Sequence, residues 1–272
     1  MPLRKDASGR RSVEISLELP GMPEQIWQAM ATGPGYSAWF VPTDIEEREG
    51  GAVAFHLGAG MTSAGQVTVW QPPFRFSYEE VGWSGEAPPL ATEIVIEARS
   101  GGTCTLRMVH SLFTSKDDWD NEVESMLNGW PAFFGILRIY LQSFPGVHAA
   151  SARPTGTFAG SLDEAWQAVQ RTLGLSDAAT GEKRDTSVNG GPRLVGTVAD
   201  VRESPKDRAL TLRLEQPSPG VALIGTYGWG GKIHVAVSLF FYGDRADAIL
   251  AREAPSWDAW MAEHFQRGDE GQ

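Results

Sequence analysis

Histidine is the side chain in this sequence that could most readily supply acid–base chemistry, because its ordinary pKa lies near neutral pH. The five histidines are His56, His110, His148, His234 and His264. They are scattered, without the His-x-x-x-His or carboxylate spacing of a metal site. His110 shares one face of a predicted strand with Leu106 and Met108 and should point at an apolar interior. It could act there as an acid, a base or a donor to a ligand, but we favour a core histidine satisfied by a backbone carbonyl.

Other patterns for catalysis or metal binding are missing from the sequence. No Gly-x-Ser-x-Gly motif occurs, and no Gly-x-Gly-x-x-Gly follows a predicted strand. The single cysteine, Cys104, permits neither an internal disulfide nor a cysteine cluster for zinc. The acidic tract at 117–120 lacks the spacing of a calcium loop and is expected to begin a helix. The sequence therefore predicts no metal and no cofactor.

Tryptophan is the other residue type to weigh, because a large ring can fill a core or line a binding site. Core positions are expected for Trp27, Trp39, Trp130, Trp166 and Trp257. Trp83 and Trp229 lie instead in glycine-rich turns, which favours the rim of a pocket. These two are the candidates for a binding rim.

The elements that would position these residues can be read from hydrophobic periodicity. Alternation predicts a strand over 13–19 and a series of antiparallel strands between 52 and 110, with a short helix over 23–30 between them. Apolar residues at three- and four-residue spacing then predict a long helix over 116–144. Pro131 indicates a kink in it or a helix start near Asn128. One apolar helix face is expected to cover one apolar sheet face.

The second half of the chain repeats this order after a small, polar stretch at 147–157 that we interpret as a linker. The tripeptide Trp-Gln-Ala occurs at 27–29 and again at 166–168. Strands are predicted at 194–201, 209–214, 221–227 and 233–241, followed by a helix interrupted by Pro255. The pattern indicates two tandem domains of one fold, at 12–146 and 155–267.

Composition excludes several classes of protein. A formal net charge of −11 argues against a general nucleic-acid binder, because phosphate repels such a surface. No run of 18 apolar residues is present, so no membrane insertion is expected. The N-terminal residues lack the apolar core of a secretory signal, and together with the lone cysteine this predicts a cytoplasmic protein.

The first half resembles the activators of the heat-shock chaperone ATPase, a family within the SRPBCC (START-like, helix-grip) superfamily. The resemblance rests on segments whose order matches over about 130 residues. They are Pro23-Glu24-Gln25-Ile26-Trp27, Tyr36-Ser37-Ala38-Trp39-Phe40, Gly50-Gly51, Gly65-Gln66-Val67, Pro72-Pro73-Phe74-Arg75-Phe76, Gly102-Thr103, Val109-His110-Ser111 and Gly129-Trp130. The second half resembles the superfamily only in Trp166, Trp257 and its strand order. The resemblance implies an α+β fold of two tandem helix-grip domains, each a curved antiparallel sheet around a C-terminal helix.

The function expected from this fold is binding of a small apolar ligand between sheet and helix, without catalysis. The lining predicted from alternation and the helical stripe is Phe55, Phe76, Tyr78, Met108, His110, Trp130 and Phe134. Two alternatives stay open. One is a cyclase- or hydrolase-type enzyme that uses His110 with a cavity water. The other is a protein-interaction module with a chaperone partner, which rests on family analogy alone.

Overall fold

The computed structural model describes residues 3–58, 61–81, 83, 87–114 and 119–267, and for 121–128 and 267 it describes the backbone only. The chain divides into two compact units, Met1–Gly146 and Val147–Gln272. Each unit contains one antiparallel sheet and one long helix near its C-terminal end. The predicted α+β class with two tandem helix-grip domains is confirmed.

The first unit contains eight strands and three helices among its described residues. Strands β1 to β8 are Arg4–Lys5, Arg10–Pro20, Thr43–Ile45, Ala52–Gly58, Met61–Gln71, Arg75–Val81, Leu90–Arg99 and Thr103–Phe113. Helices α1 to α3 are Pro23–Ala31, Gly33–Ser37 and Asp120–Ser143. The sheet order is β1-β2-β8-β7-β6-β5-β4-β3, so β2 pairs with the last strand of the unit.

Alternation decides which side chains of this sheet face the interior. On β8 the alternating inward series is Cys104, Leu106, Met108, His110 and Leu112, all of them buried. Tyr78 on β6 lies opposite Thr92 on β7, and Thr92 lies opposite His110 on β8. Directly opposed residues share a face, so these three side chains form a row across the inner surface of the sheet.

The long helix α3 covers that surface. It runs through Pro131, so a helix start near Asn128 is wrong. Proline removes one main-chain hydrogen bond, and the helix is held by packing on both sides of that position. Trp130 stacks on His110 of the sheet, and Phe134 stacks on the buried Trp39.

The second unit repeats the main order of elements, with one helix instead of two after its N-terminal strands and one more strand after its long helix. Strands β9 to β16 are Ala149–Ala152, Thr155–Phe158, Lys183–Asp185, Val195–Glu203, Asp207–Gln216, Gly220–Trp229, Lys232–Tyr242 and Gln266–Arg267. Helices α4 and α5 are Leu162–Thr172 and Ala246–His264. Strand β10 pairs with β15, the last strand before α5, as β2 pairs with β8 in the first unit. Trp27 in α1 and Trp166 in α4 are both buried in the helix that follows the N-terminal strand.

Two details of the second unit differ from the sequence prediction. The stretch at 147–157 contains β9 and most of β10, both paired with β15, where a linker was predicted. Its small side chains, as in Ala149-Ala150-Ser151-Ala152, do not show the alternation of apolar and polar residues that predicts a strand. Helix α5 also continues through Pro255. The buried Trp257 and Trp260, which follow that proline, hold its second half against the core.

Candidate functional site in the first unit

A cavity of about 250 Å³ lies between the inner face of the first sheet and α3. Five strands, the helix and two loops contribute to its wall. The lining residues are Phe40, Phe55, Leu57, Ser63, Tyr78, Glu80, Trp83, Leu90, His110, Gly129, Trp130 and Phe133. An apolar cavity of roughly 150 Å³ can hold benzene, so this one has room for about two fused rings.

Aromatic rings form much of the wall. Phe40 stacks on Trp130 with ring centroids 4.9 Å apart and meets Phe133 edge-on at 4.8 Å. Phe55 and Tyr78 lie on the sheet side, with their centroids 5.3 Å apart. Rings held in this way by their neighbours give a preformed apolar surface that suits a flat, apolar molecule.

His110 contributes a polar group to this wall. Its Nδ1 is hydrogen-bonded to the Thr92 hydroxyl at 2.9 Å, and its ring lies nearly parallel to Trp130 at 5.5 Å. The residue is 2% exposed, and its Nε2 has no hydrogen-bond partner among the residues that the structure describes. Burial lowers the pKa of His110 from 6.5 to about 4, so the imidazole is neutral at physiological pH. A buried nitrogen without a partner is available to a ligand.

Glu80 is the second polar group of the cavity. The Ser63 hydroxyl donates a hydrogen bond to its Oε1, and the side chain forms no ion pair with any residue that the structure describes. Glu80 is 9% exposed, and burial raises its pKa from 4.5 to about 6, against a smaller opposing effect of the Ser63 hydrogen bond. It is therefore mostly ionised at neutral pH and becomes protonated under mildly acidic conditions.

The contact between Ser63 and Glu80 depends on a close approach of β5 to β6. Gly65 lies opposite Glu80 in the register of the two strands. A Cβ atom at residue 65 would lie 2.0 Å from the Glu79 carbonyl oxygen, closer than any side chain can pack. Glycine at this position is thus required for the spacing that places the Ser63 hydroxyl on Glu80.

Tyr78 adds a phenol to the same wall. Its side chain is buried, and desolvation raises its pKa well above the ordinary value. The buried Tyr36 of α2 is affected in the same way. Both phenols therefore remain neutral, and Tyr78 can serve as a hydrogen-bonding group in the cavity wall.

The structure brings four of the seven predicted lining residues to the cavity, namely Phe55, Tyr78, His110 and Trp130. The other three lie in the surrounding core. Phe76 packs edge-on against Trp27, Met108 lies between Ile15 and Ile94 in the sheet, and Phe134 stacks on Trp39. Alternation assigns a residue to a face of the sheet. It does not predict at which positions along a strand the helix packs against that face and at which positions a cavity remains.

Sequence reasoning missed Glu80, Ser63 and the role of Thr92. The signal for Glu80 was present, because it continues the inward series of Phe76 and Tyr78 by one step. Ser63 had no signal, since its contact with Glu80 requires the register of two strands. Thr92 would also have required the register, which places it opposite His110.

The two tryptophans in glycine-rich turns differ in their surroundings. Trp83 lines the cavity, and its indole nitrogen donates to the Pro88 carbonyl at 2.8 Å. Trp229 lies in the second unit, at the end of β14, and is 59% exposed. Only Trp83 is therefore part of this site.

Among the described residues, no three His, Cys, Asp or Glu side chains are grouped as a metal site would require. Asp117 and Asp118 lie outside the described residues, whereas Asp120 opens α3 and pairs with Arg11 at 2.7 Å. No helix in the described part of the chain is long and apolar enough to cross a bilayer.

Residues 21–142 match the model of the family described as Activator of Hsp90 ATPase homolog 1-like protein. No curated protein sequence matches the chain significantly.

Three solved structures illustrate the similarity of fold. CalU16 from Micromonospora echinospora has a TM-score of 0.42 and 20% identity, over 52% of this chain and 83% of that chain. DynU16, a protein from the dynemicin biosynthetic locus, has a TM-score of 0.42 and 16% identity, over 92% of this chain and 94% of that chain. The di-domain ARO/CYC protein BexL of the BE-7585A biosynthetic pathway has a TM-score of 0.44 and 10% identity, over 95% of this chain and 99% of that chain.

Proposed function

We propose that the first unit binds a small, largely aromatic molecule in the cavity between its sheet and α3. The observation that carries this proposal is a preformed cavity of about 250 Å³ whose apolar wall contains two buried polar groups, His110 Nε2 and the Glu80 carboxyl. The apolar wall supplies affinity, and the polar groups fix the orientation of the ligand.

The test is a titration of the full chain with 2-naphthylmethanol, a neutral bicyclic probe of suitable size, followed by tryptophan fluorescence. Trp130 and Trp83 line the cavity, so saturable quenching with a micromolar dissociation constant is expected.

Two glycines of α3 provide a matched pair of variants for this titration. A Cβ atom at either Gly129 or Gly135 would meet nothing within 4 Å, but only Gly129 lines the cavity. We expect Gly129→Leu to weaken the binding of the probe at least about tenfold, which corresponds to about 1.4 kcal/mol, and Gly135→Leu to leave it unchanged. Absence of saturable binding, or equal binding by the two variants, would refute the proposed site.

A second candidate function, acid–base catalysis on the bound molecule, is favoured by the same two polar groups. A neutral imidazole can accept a proton, and a carboxyl group with a pKa of about 6 can donate or accept one near neutral pH. A reaction of this type would depend on pH through both groups, and His110→Gln would slow it while the bound ligand remained in place. Ligand binding that leaves the recovered ligand chemically unchanged would favour the non-catalytic function.

The family description also suggests a protein partner, because it refers to activation of the Hsp90 ATPase. For this chain a chaperone partner and a cytoplasmic location are proposals, supported by that description and by a single, buried cysteine. Co-purification of Hsp90 with the full chain, retained in the Gly129→Leu variant, would show a partner that does not use the cavity.

A further inference from the structure

The Glu80 carboxylate lies in a place where a negative charge is poorly compensated. Its one described hydrogen bond comes from the Ser63 hydroxyl to Oε1, and no cation of the described chain pairs with it. The nearby His110 does not supply a positive charge, because its imidazole is neutral at physiological pH. An ionised carboxylate in such a site gains strongly from a cation brought by a ligand.

The remainder of the wall also suits a cation. Phe40, Phe55, Tyr78, Trp83 and Trp130 line the cavity. The face of an aromatic ring carries partial negative charge, and it attracts an ammonium group most strongly when water is excluded. An anionic ligand would meet Glu80 and these ring faces without any opposite charge among the described lining residues.

We infer that the ligand of this cavity carries a protonated amine, which forms an ion pair with the Glu80 carboxylate while its apolar part lies between the aromatic rings. This inference rests on the proposed ligand-binding function and specifies the chemical class of the ligand. It also gives a role to the buried Glu80 carboxylate, which lies directly opposite the apolar Leu90 in the same wall.

The inference predicts that the affinity for a protonated amine depends on pH. The titratable groups that face Glu80 from the described elements are Tyr36 of α2, Tyr78 of β6 and His110 of β8. The two phenols stay neutral because burial raises their pKa values, and His110 stays neutral above its pKa of about 4. Between pH 8 and pH 5, Glu80 is therefore the group of this wall that changes charge.

The experiment compares 2-naphthylmethylamine with 2-naphthylmethanol, two probes of nearly the same shape that differ in charge, on the full chain at pH 8 and pH 5. The alkylamine remains protonated over this range, as lysine does. At pH 8 we expect the amine to bind about tenfold or more tightly than the alcohol, as for a charged hydrogen bond. At pH 5 the affinity for the amine should fall about tenfold, because Glu80 is then mostly protonated. The affinity for the alcohol should not change.

Two variants locate the effect. Glu80→Gln should abolish the preference for the amine. Glu79→Gln removes the same charge from the exposed face of the same strand and should leave the preference for the amine unchanged. Equal affinity for the two probes in the unaltered protein, or a preference that survives Glu80→Gln, overturns the inference and leaves the proposed cavity intact. Failure of both probes to bind overturns the proposed function as well. The pH profile of the unaltered protein decides the matter even if Glu80→Gln does not fold.

Discussion

Two residues of the cavity respond to burial in opposite directions. His110 resists protonation and Glu80 retains its proton to higher pH, because an apolar setting penalises the charged form of each group. At neutral pH only Glu80 bears a charge, so the site combines a neutral acceptor or donor with a single negative group. This asymmetry also makes separate predictions for the pH dependence of stability.

The lowered pKa of His110 predicts a loss of stability in acid. Between about pH 6.5 and pH 4 the unfolded chain binds a proton at residue 110 that the folded chain does not, so the free energy of unfolding falls as the pH falls. Relative to His110→Gln, the unaltered protein should lose about 2 kcal/mol between pH 7 and pH 5. Urea unfolding of both proteins at the two pH values measures this difference, and a constant difference would contradict the assignment.

The raised pKa of Glu80 predicts the opposite dependence. Its contribution to stability is fully present below the ordinary pKa of 4.5 and is lost as the pH rises through about 6. Glu80→Gln should therefore gain about 1 kcal/mol over the unaltered protein when the pH is raised from 5 to 8. Denaturant titrations give this value, with Glu79→Gln expected to remain within about 0.5 kcal/mol of the unaltered protein at both pH values. If the free energy of unfolding of Glu80→Gln instead falls relative to that of the unaltered protein as the pH is raised, the folded protein favours the ionised form of Glu80.

At the scale of elements, periodicity predicted which segments form strands and helices and which face of each is buried. It placed His110 on the inner face of β8 and Trp130 on the face of α3 that meets it, and these rings do stack. It could not predict the depth of the cavity, and Met108, which it assigns to the cavity wall, is instead buried in the core between Ile15 and Ile94. Contacts between strands, such as Ser63 with Glu80, depend on register and glycine spacing, which hydrophobic periodicity in a single sequence does not encode.

The glycines of the helices provide a prediction at this scale. Gly135 in α3 has open space around the position of a Cβ atom, whereas at Gly35 in α2 that atom would lie 1.8 Å from the Gln28 carbonyl oxygen. Alanine is favoured over glycine inside a helix by about 1 kcal/mol. Gly135→Ala should accordingly raise the free energy of unfolding by up to about 1 kcal/mol, and Gly35→Ala should lower it. Thermal and urea unfolding compare the two, and stabilisation by both variants would show that α2 can move away from α1 without cost.

At the scale of the whole molecule, one fold occurs twice. The first unit keeps a cavity between its sheet and α3. In the second unit, large side chains from α5 pack directly into a continuous cluster with the strands, among them Trp257, Trp260 and Met261. The family match at 21–142 falls entirely within the first unit. We therefore expect ligand binding to be a property of the first unit and to depend on the core of that unit.

This expectation can be tested by damaging the core of the second unit alone. Trp257 is fully buried in that core, so Trp257→Ala should cost about 3–5 kcal/mol of stability through lost burial and the cavity left behind. Trp229→Ala removes the same side chain from an exposed position and should change stability by less than about 0.5 kcal/mol. Because each unit has its own sheet, helix and buried core, Trp257→Ala should separate the unfolding curve into two transitions while the affinity for 2-naphthylmethanol stays unchanged. Calorimetry and the fluorescence titration measure the two effects. If binding is lost together with the earlier transition, the cavity of the first unit depends on the second unit, and the two copies act as one cooperative body.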